Sequence, residues 1–121
     1  MEMQDVMQMQ SFVVVGDTLN PEKYACKIKS AMEAAGYTVA AVGKELPSLN
    51  DVPQPIDVVD LCIHPVKGLK LLQECHVPYR CIVIQPGADS PELLAWLDAQ
   101  QLPYLHGCLL KGLAAYPRTN L

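Results

Sequence analysis

The stretch Ser11–Val15 (SFVVV) stops at Gly16 and soon gives way to Asn20-Pro21-Glu22. A short β-branched run ending on glycine reads as a buried strand. A capping side chain, a proline and an acid in succession read as the opening of a helix. A strand that feeds a helix so directly leaves few folds open, because the helix must turn back and cover the strand. The pattern continues along the chain. Tyr24, Ile28, Ala31, Met32 and Ala35 share one helical face, which ends at Gly36. Tyr37–Val42 (YTVAAV) and Val58–Ile63 (VVDLCI) are the next strands, separated by the turn-rich Asp51-Val52-Pro53-Gln54-Pro55. A second helix over Val66–Cys75 places Gly68, Leu71, Leu72 and Cys75 on one face. Cys81–Ile84 (CIVI) is a fourth strand, and Ser90-Pro91-Glu92 opens a third helix that runs to Gln101. Tyr104–His106 is a fifth strand, and the tail from Gly107 has room for one short helix before Pro117.

Strands that are apolar without strict alternation are covered on both faces. Right-handed crossovers then give an α/β, doubly wound, three-layer sandwich of five parallel strands, for which the order 3-2-1-4-5 is expected. Residues 1–10 read as a flexible N-terminal segment and residues 11–121 as a single domain, which suits a chain of 121 residues. Nine basic against thirteen acidic residues leave a net charge of −4, which argues against a nucleic-acid partner. No apolar run reaches the roughly 18 residues of a membrane span. Met1–Gln10 lacks the basic start and apolar stretch of a secretory leader, so the expected location is the cytoplasm. Five cysteines, an odd number with no Cys-x-x-Cys pair, fit neither a disulfide framework nor a zinc site. Cys62 and Cys81, inside apolar runs, read as small buried hydrophobes.

A doubly wound sheet binds ligands beyond the carboxyl ends of its strands. The loops there begin at Gly16, Gly43, His64 and Gln85. Gly16 permits a close backbone turn, and the helix opening near Asn20 offers free N–H groups to a phosphate. Spacing alone reads equally well as an ordinary glycine turn. Neither the G-x-G-x-x-G fingerprint nor a Walker A loop is present, and the second strand runs into Gly43-Lys44 where an NAD site normally carries a carboxylate. Lys44 suits a phosphate, and equally a solvated surface. Lys23 and Lys27 lie near the start of the first helix, with the same two readings open. His64 and Gln85-Pro86-Gly87 face the same crevice, as ligand contacts or as plain turns. No nucleophile elbow, Cys–His pairing motif or metal-spaced cluster is present, so neither catalysis nor a metal is expected.

Several of these pieces coincide with a known pattern. They are Val14-Val15-Gly16, Asn20-Pro21-Glu22-Lys23, the helix leading to Gly36-Tyr37-x-Val39, and above all Ser48-Leu49-Asn50-Asp51-Val52-Pro53-Gln54-Pro55-Ile56-Asp57. With Gln85, Gly87 and Cys108, the stretch from Phe12 to Cys108 resembles the small stand-alone CoA-binding proteins of Rossmann-like fold. These are similar to the CoA-binding domain of the succinyl-CoA synthetase alpha subunit. The resemblance implies ligand contacts at Gly16, Asp17, Thr18, Asn20, Lys23, Val42, Gly43, Lys44, His64, Gln85, Pro86 and Gly87. It implies non-catalytic binding of CoA or an acyl-CoA, a small-molecule nucleotide ligand. The synthetase-like enzymes also need a second domain and a phosphorylated histidine loop. The chain departs from the family at Lys23 and Ala25, where Arg and Ser are usual, at Gly43-Lys44, in a shorter loop after the second strand, and at His106-Gly107-Cys108. The alternative reading is a regulatory module that senses an NAD(H)-type nucleotide and acts through a protein partner.

Overall fold

Strand β1 (Ser11–Gly16) is buried over its last five residues, so both of its faces must be covered. A computed structural model, which describes residues 1–118, shows how. The last three residues of the expected domain, 119–121, lie outside the described residues. The remaining elements are α1 (Met3–Met7), α2 (Tyr24–Ala34), β2 (Thr38–Gly43), a 3-10 turn (Leu49–Asp51), β3 (Ile56–Cys62), α3 (Pro65–Gln73), β4 (Tyr79–Ile84), α4 (Pro91–Ala99), β5 (Tyr104–His106) and α5 (Leu109–Ala115). All strand pairs are parallel. One face of the sheet packs Val13, Val15, Val59, Leu61, Ile82 and Ile84 against Leu72 of α3 and Leu93 and Leu97 of α4. The other packs Phe12, Val14, Val58 and Val83 against Ile28 and Met32 of α2 and Leu109 of α5. The three-layer Rossmann-like sandwich is therefore as expected. None of the described helices is long and apolar enough to cross a membrane.

The strand order differs from expectation. It is β2-β1-β3-β4-β5, not 3-2-1-4-5, so β3 lies on the far side of β1 from β2. The register sets Phe12 beside both Val39 and Val58. Bulk explains the placement. Ile56, Val58, Val59 and Leu61 are all buried and need helices above and below, which only a central strand has. β2 offers Ala40 and Ala41 with exposed ends at Thr38 and Gly43, and it sits at the edge. Its connection to β3 contains no α-helix; the 3-10 turn folds Leu49 and Val52 into the core instead.

Two helix expectations also change. Asn20 closes a turn on itself, its Oδ1 accepting from the Glu22 N–H (3.0 Å) and its carbonyl from the Lys23 N–H (3.0 Å). The helix then begins at Tyr24 with Lys23 at the N-cap. In place of a flexible N-terminal segment, residues 3–7 form α1, whose Val6 and Met7 are buried. The α1 residues Met3 and Met7 lie so close to Gly112 of α5 that a Cβ there would come within 2.9 Å of either sulfur. The Tyr37 hydroxyl donates to the Met7 carbonyl (2.6 Å). The signal lay in the methionines, which adapt to irregular apolar gaps.

Met7→Ala is expected to lower unfolding free energy by about 2 kcal/mol or more, as for other buried large-to-small changes. Urea denaturation measures it. A loss below about 0.5 kcal/mol, the size of a surface effect, would show that α1 is not docked.

Candidate functional site

Three strand ends converge at Gly16, which pairs with Gly43 of β2 on one side and Cys62 of β3 on the other. A Cβ on Gly16 would stand 2.5 Å from the Cys62 carbonyl oxygen and 3.0 Å from the Ala25 Cβ. A Cβ on Gly43, whose φ is +127°, would stand 2.8 Å from the Gly16 carbonyl oxygen. Backbone alone therefore forms the floor here. Beyond it opens a two-lobed crevice, with Asp17 and Ile63 lining both lobes.

The first lobe, about 340 Å³, lies between the start of α2 (Lys23, Tyr24, Ala25), the end of β3 (Cys62 to His64) and the loop after β4 (Gln85 to Ala88). The α2 N-terminus that faces it has no capping side chain and no acid in its first turn. Its free N–H groups and positive dipole end favour an anion. Asp17 is partly occupied: its Oδ1 accepts from the Leu19 and Asn20 N–H groups, both at 3.2 Å. His64 has a structural task as well. Its Nδ1 accepts from the Val66 N–H (3.2 Å) and caps α3, which leaves Nε2 for the cleft.

Beneath this lobe lies a buried polar group. Asp60 is 0% exposed, in the middle of β3. The Cys62 thiol donates to its Oδ2 (3.2 Å), while its Oδ1 has no partner among the described residues. Burial raises the Asp60 carboxyl to about 7, against a smaller lowering by the Cys62 hydrogen bond. Burial, with the neighbouring Asp60, pushes the Cys62 thiol far up and keeps it protonated. Gln85 is also buried, and its Oε1 likewise has no partner among the described residues.

The second lobe, about 420 Å³, lies between the turn after β2 and helix α3. The Gly43 N–H donates to the Leu46 carbonyl (2.8 Å) and the Leu46 N–H to the Ala41 carbonyl (3.1 Å). This tight turn holds Lys44 at the rim. Lys67, Lys70, Leu71 and Glu74 of α3 form the opposite wall. Across both lobes, Lys23, Lys44, Lys67 and Lys70, four of the nine basic residues, face two carboxylates, Asp17 and Glu74. An acidic protein thus concentrates positive charge at its crevice.

Of the residues expected at the site, the crevice brings together Gly16, Asp17, Lys23, Gly43, Lys44, His64, Gln85, Pro86 and Gly87. Three do not line it. The Thr18 side chain is buried and donates to Glu45 Oε2. Asn20 closes the turn before α2. Val42 points into the core. Sequence reasoning missed Tyr24, Ala25, Cys62, Ile63 and Ala88 in the first lobe, and Pro47, Lys67, Lys70, Leu71 and Glu74 in the second. The segment that carries the most specific resemblance, residues 48–57, does not line the crevice. Asn50 donates to the Glu74 carbonyl (2.9 Å) and accepts from the His76 N–H (2.7 Å). Asp57 accepts from the Gln10 (3.1 Å) and Ser11 (2.9 Å) N–H groups at the opposite end of the sheet.

A sequence model of the CoA binding domain matches residues 10–114, so the chain belongs to the CoA-binding domain family. No curated protein sequence matches it significantly. Among solved structures, it is similar to a conserved hypothetical protein from Pyrococcus furiosus, at 25% identity and a TM-score of 0.77 over 85% of this chain and 98% of that one. It is similar in fold to Prb, the PH1109 protein redesigned for binding, at 19% identity and a TM-score of 0.85 over 98% of this chain and 92% of the other. A hypothetical protein from Pyrococcus horikoshii OT3 gives 18% identity and a TM-score of 0.80 over 96% and 92%.

The buried carboxyl predicts a pH signature. Because its folded value is raised from 3.8 to about 7, the folded state holds a proton that the unfolded state has lost across that window. Stability from this group is fully present below about pH 4 and is lost as pH rises through 7. Asp60→Asn is expected to flatten that decline, so that the variant gains on the wild type between pH 5 and 8 in denaturation experiments. Parallel pH profiles would refute a buried, protonated Asp60.

Proposed function

We propose that the protein is a non-catalytic binding protein for CoA or an acyl-CoA, held in the two-lobed crevice. The observation that carries this reading is the crevice itself, cationic in an acidic protein and placed where a doubly wound sheet takes nucleotides. Each lobe falls within the roughly 300–1,000 Å³ of small-molecule sites. In this reading the pyrophosphate lies over Gly16 and the open N-terminus of α2, with Lys23 and Lys44 offsetting its charge. The pantetheine arm runs along the first lobe past His64 and Gln85–Gly87. Family membership supports CoA as the ligand.

The chemistry of the lining supports binding without turnover. The Cys62 thiol is kept protonated by burial and is a poor nucleophile. Nδ1 of His64 is committed to the α3 cap. Asp60 is sealed behind Cys62 rather than presented to the lobe.

Thermal unfolding with CoA, acetyl-CoA, NAD+, NADH and ATP tests the reading. A ligand in hundredfold excess over its Kd adds about 2.7 kcal/mol, several degrees for a domain of this size. A shift with CoA compounds, reduced in Lys44→Ala, is expected. A shift with NAD+ or NADH alone would replace this reading with the nucleotide sensor, and no shift with any of the five would overturn both.

A further inference from the structure

We propose that Lys67 and Lys70 of α3, with Lys44, form a site for a ribose phosphomonoester, so that the crevice selects CoA over its analogue without the 3′-phosphate. The inference rests on the reading of the crevice as a CoA site. CoA carries two separate anionic groups, a pyrophosphate and a 3′-phosphate, and the crevice has two separate cationic regions. The first lobe has Lys23 and the open end of α2. The second has three lysines against two carboxylates, Glu74 and the Asp17 it shares with the first lobe.

The placement of Lys67 is what the helix itself does not explain. It stands in the first turn of α3, where the helix dipole is positive and an acid would be stabilising. That turn contains no acid. By contrast, the first turn of α4 holds Glu92 and is capped by Ser90. Lys70 follows at i+3, on the same side of the helix, and both line the lobe opposite Lys44. Among the described residues neither is in a salt bridge, whereas Lys29 is held by both Glu33 and Glu45. A dianionic phosphate would supply the missing counter-charge. A cluster of lysines presents point charges without the planar fork of arginine, and so suits a terminal phosphate that is free to rotate.

The same chemistry occurs as the 3′-phosphate of CoA and the 2′-phosphate of NADP+. Titration calorimetry with CoA, dephospho-CoA, NADP+ and NAD+ separates the two. The wild type is expected to bind CoA at least about tenfold tighter than dephospho-CoA, a difference that added salt reduces. The preference is also expected to shrink below about pH 6, where a phosphomonoester loses its second charge. In Lys67→Gln/Lys70→Gln the CoA to dephospho-CoA ratio is expected to fall toward one. Lys111→Gln removes an exposed charge on α5, outside the crevice, and is expected to keep the ratio. Equal wild-type affinities for CoA and dephospho-CoA would overturn the proposal while leaving the CoA reading intact. So would a double variant that weakens both by the same factor. Binding of NADP+ over NAD+, with no binding of either CoA compound, would retain the phosphate site and overturn its assignment to CoA. Failure of all four to bind would remove the CoA reading itself.

Discussion

The absence of a Cβ at Gly16 is the constraint on which the rest of the crevice depends. Three parallel strands end side by side at Gly43, Gly16 and Cys62, and the middle backbone has no room for a side chain toward Cys62. With bare backbone at that point, α2 packs close enough to β1 for Ala25 to approach the glycine, and the helix N-terminus is brought to the mouth of the cleft. A side chain at either glycine would push the strand ends apart and fill the place where two lobes meet. The cost of this arrangement is met by the strands themselves, since β1 is buried over five successive residues.

The alternation of apolar runs and capped helices was enough to read the layers, because each element's period and punctuation are local properties. Strand order is not local. β2 and β3 both present short apolar runs, and their relative positions follow from the difference between Ala40-Ala41 and Val58-Val59, a difference in bulk that decides which strand sits at an edge. The same limit governs the site. Glycine loops and Lys44 could be placed from strand ends alone. Val42 could not, since side chains alternate across a sheet and its register turns it to the core. Lys67 and Lys70 fall inside the helix expected over Val66–Cys75, and the sequence reading did not single them out. Their signal was a lysine in a first turn with no acid, which has meaning only once the helix start is fixed at Pro65.

Residues 48–57, the most specific part of the family signature, lie outside the crevice lining, whereas Gly16, Lys23, Gln85 and Gly87 of the same signature line it. Asp57 joins the N-terminal end of β3 to the start of β1, and Asn50 ties the connection after β2 to the end of α3. These contacts tie two central strands together and hold the end of α3, the helix that forms a wall of the second lobe. The departures from the family pattern fall at the opposite end, at Lys23, at Gly43-Lys44 and in the loop that follows.

In the proposed reading, electrostatics rather than residues 48–57 discriminates among nucleotides. A nucleotide site at the end of β2 that reads a ribose diol uses a carboxylate. This chain has Lys44 there, with two further lysines across a gap and net negative charge over the rest of the molecule. Such a field attracts an anion from a distance and rejects a ligand whose ribose carries no phosphate only weakly, through lost attraction rather than a clash. Selectivity of this kind is graded and salt-dependent, in contrast to the steric exclusion that a side chain at Gly16 or Gly43 would impose. In the proposed reading, the glycines let a backbone-hugging anion fit at all, and the lysines of α3 set how many charges it carries.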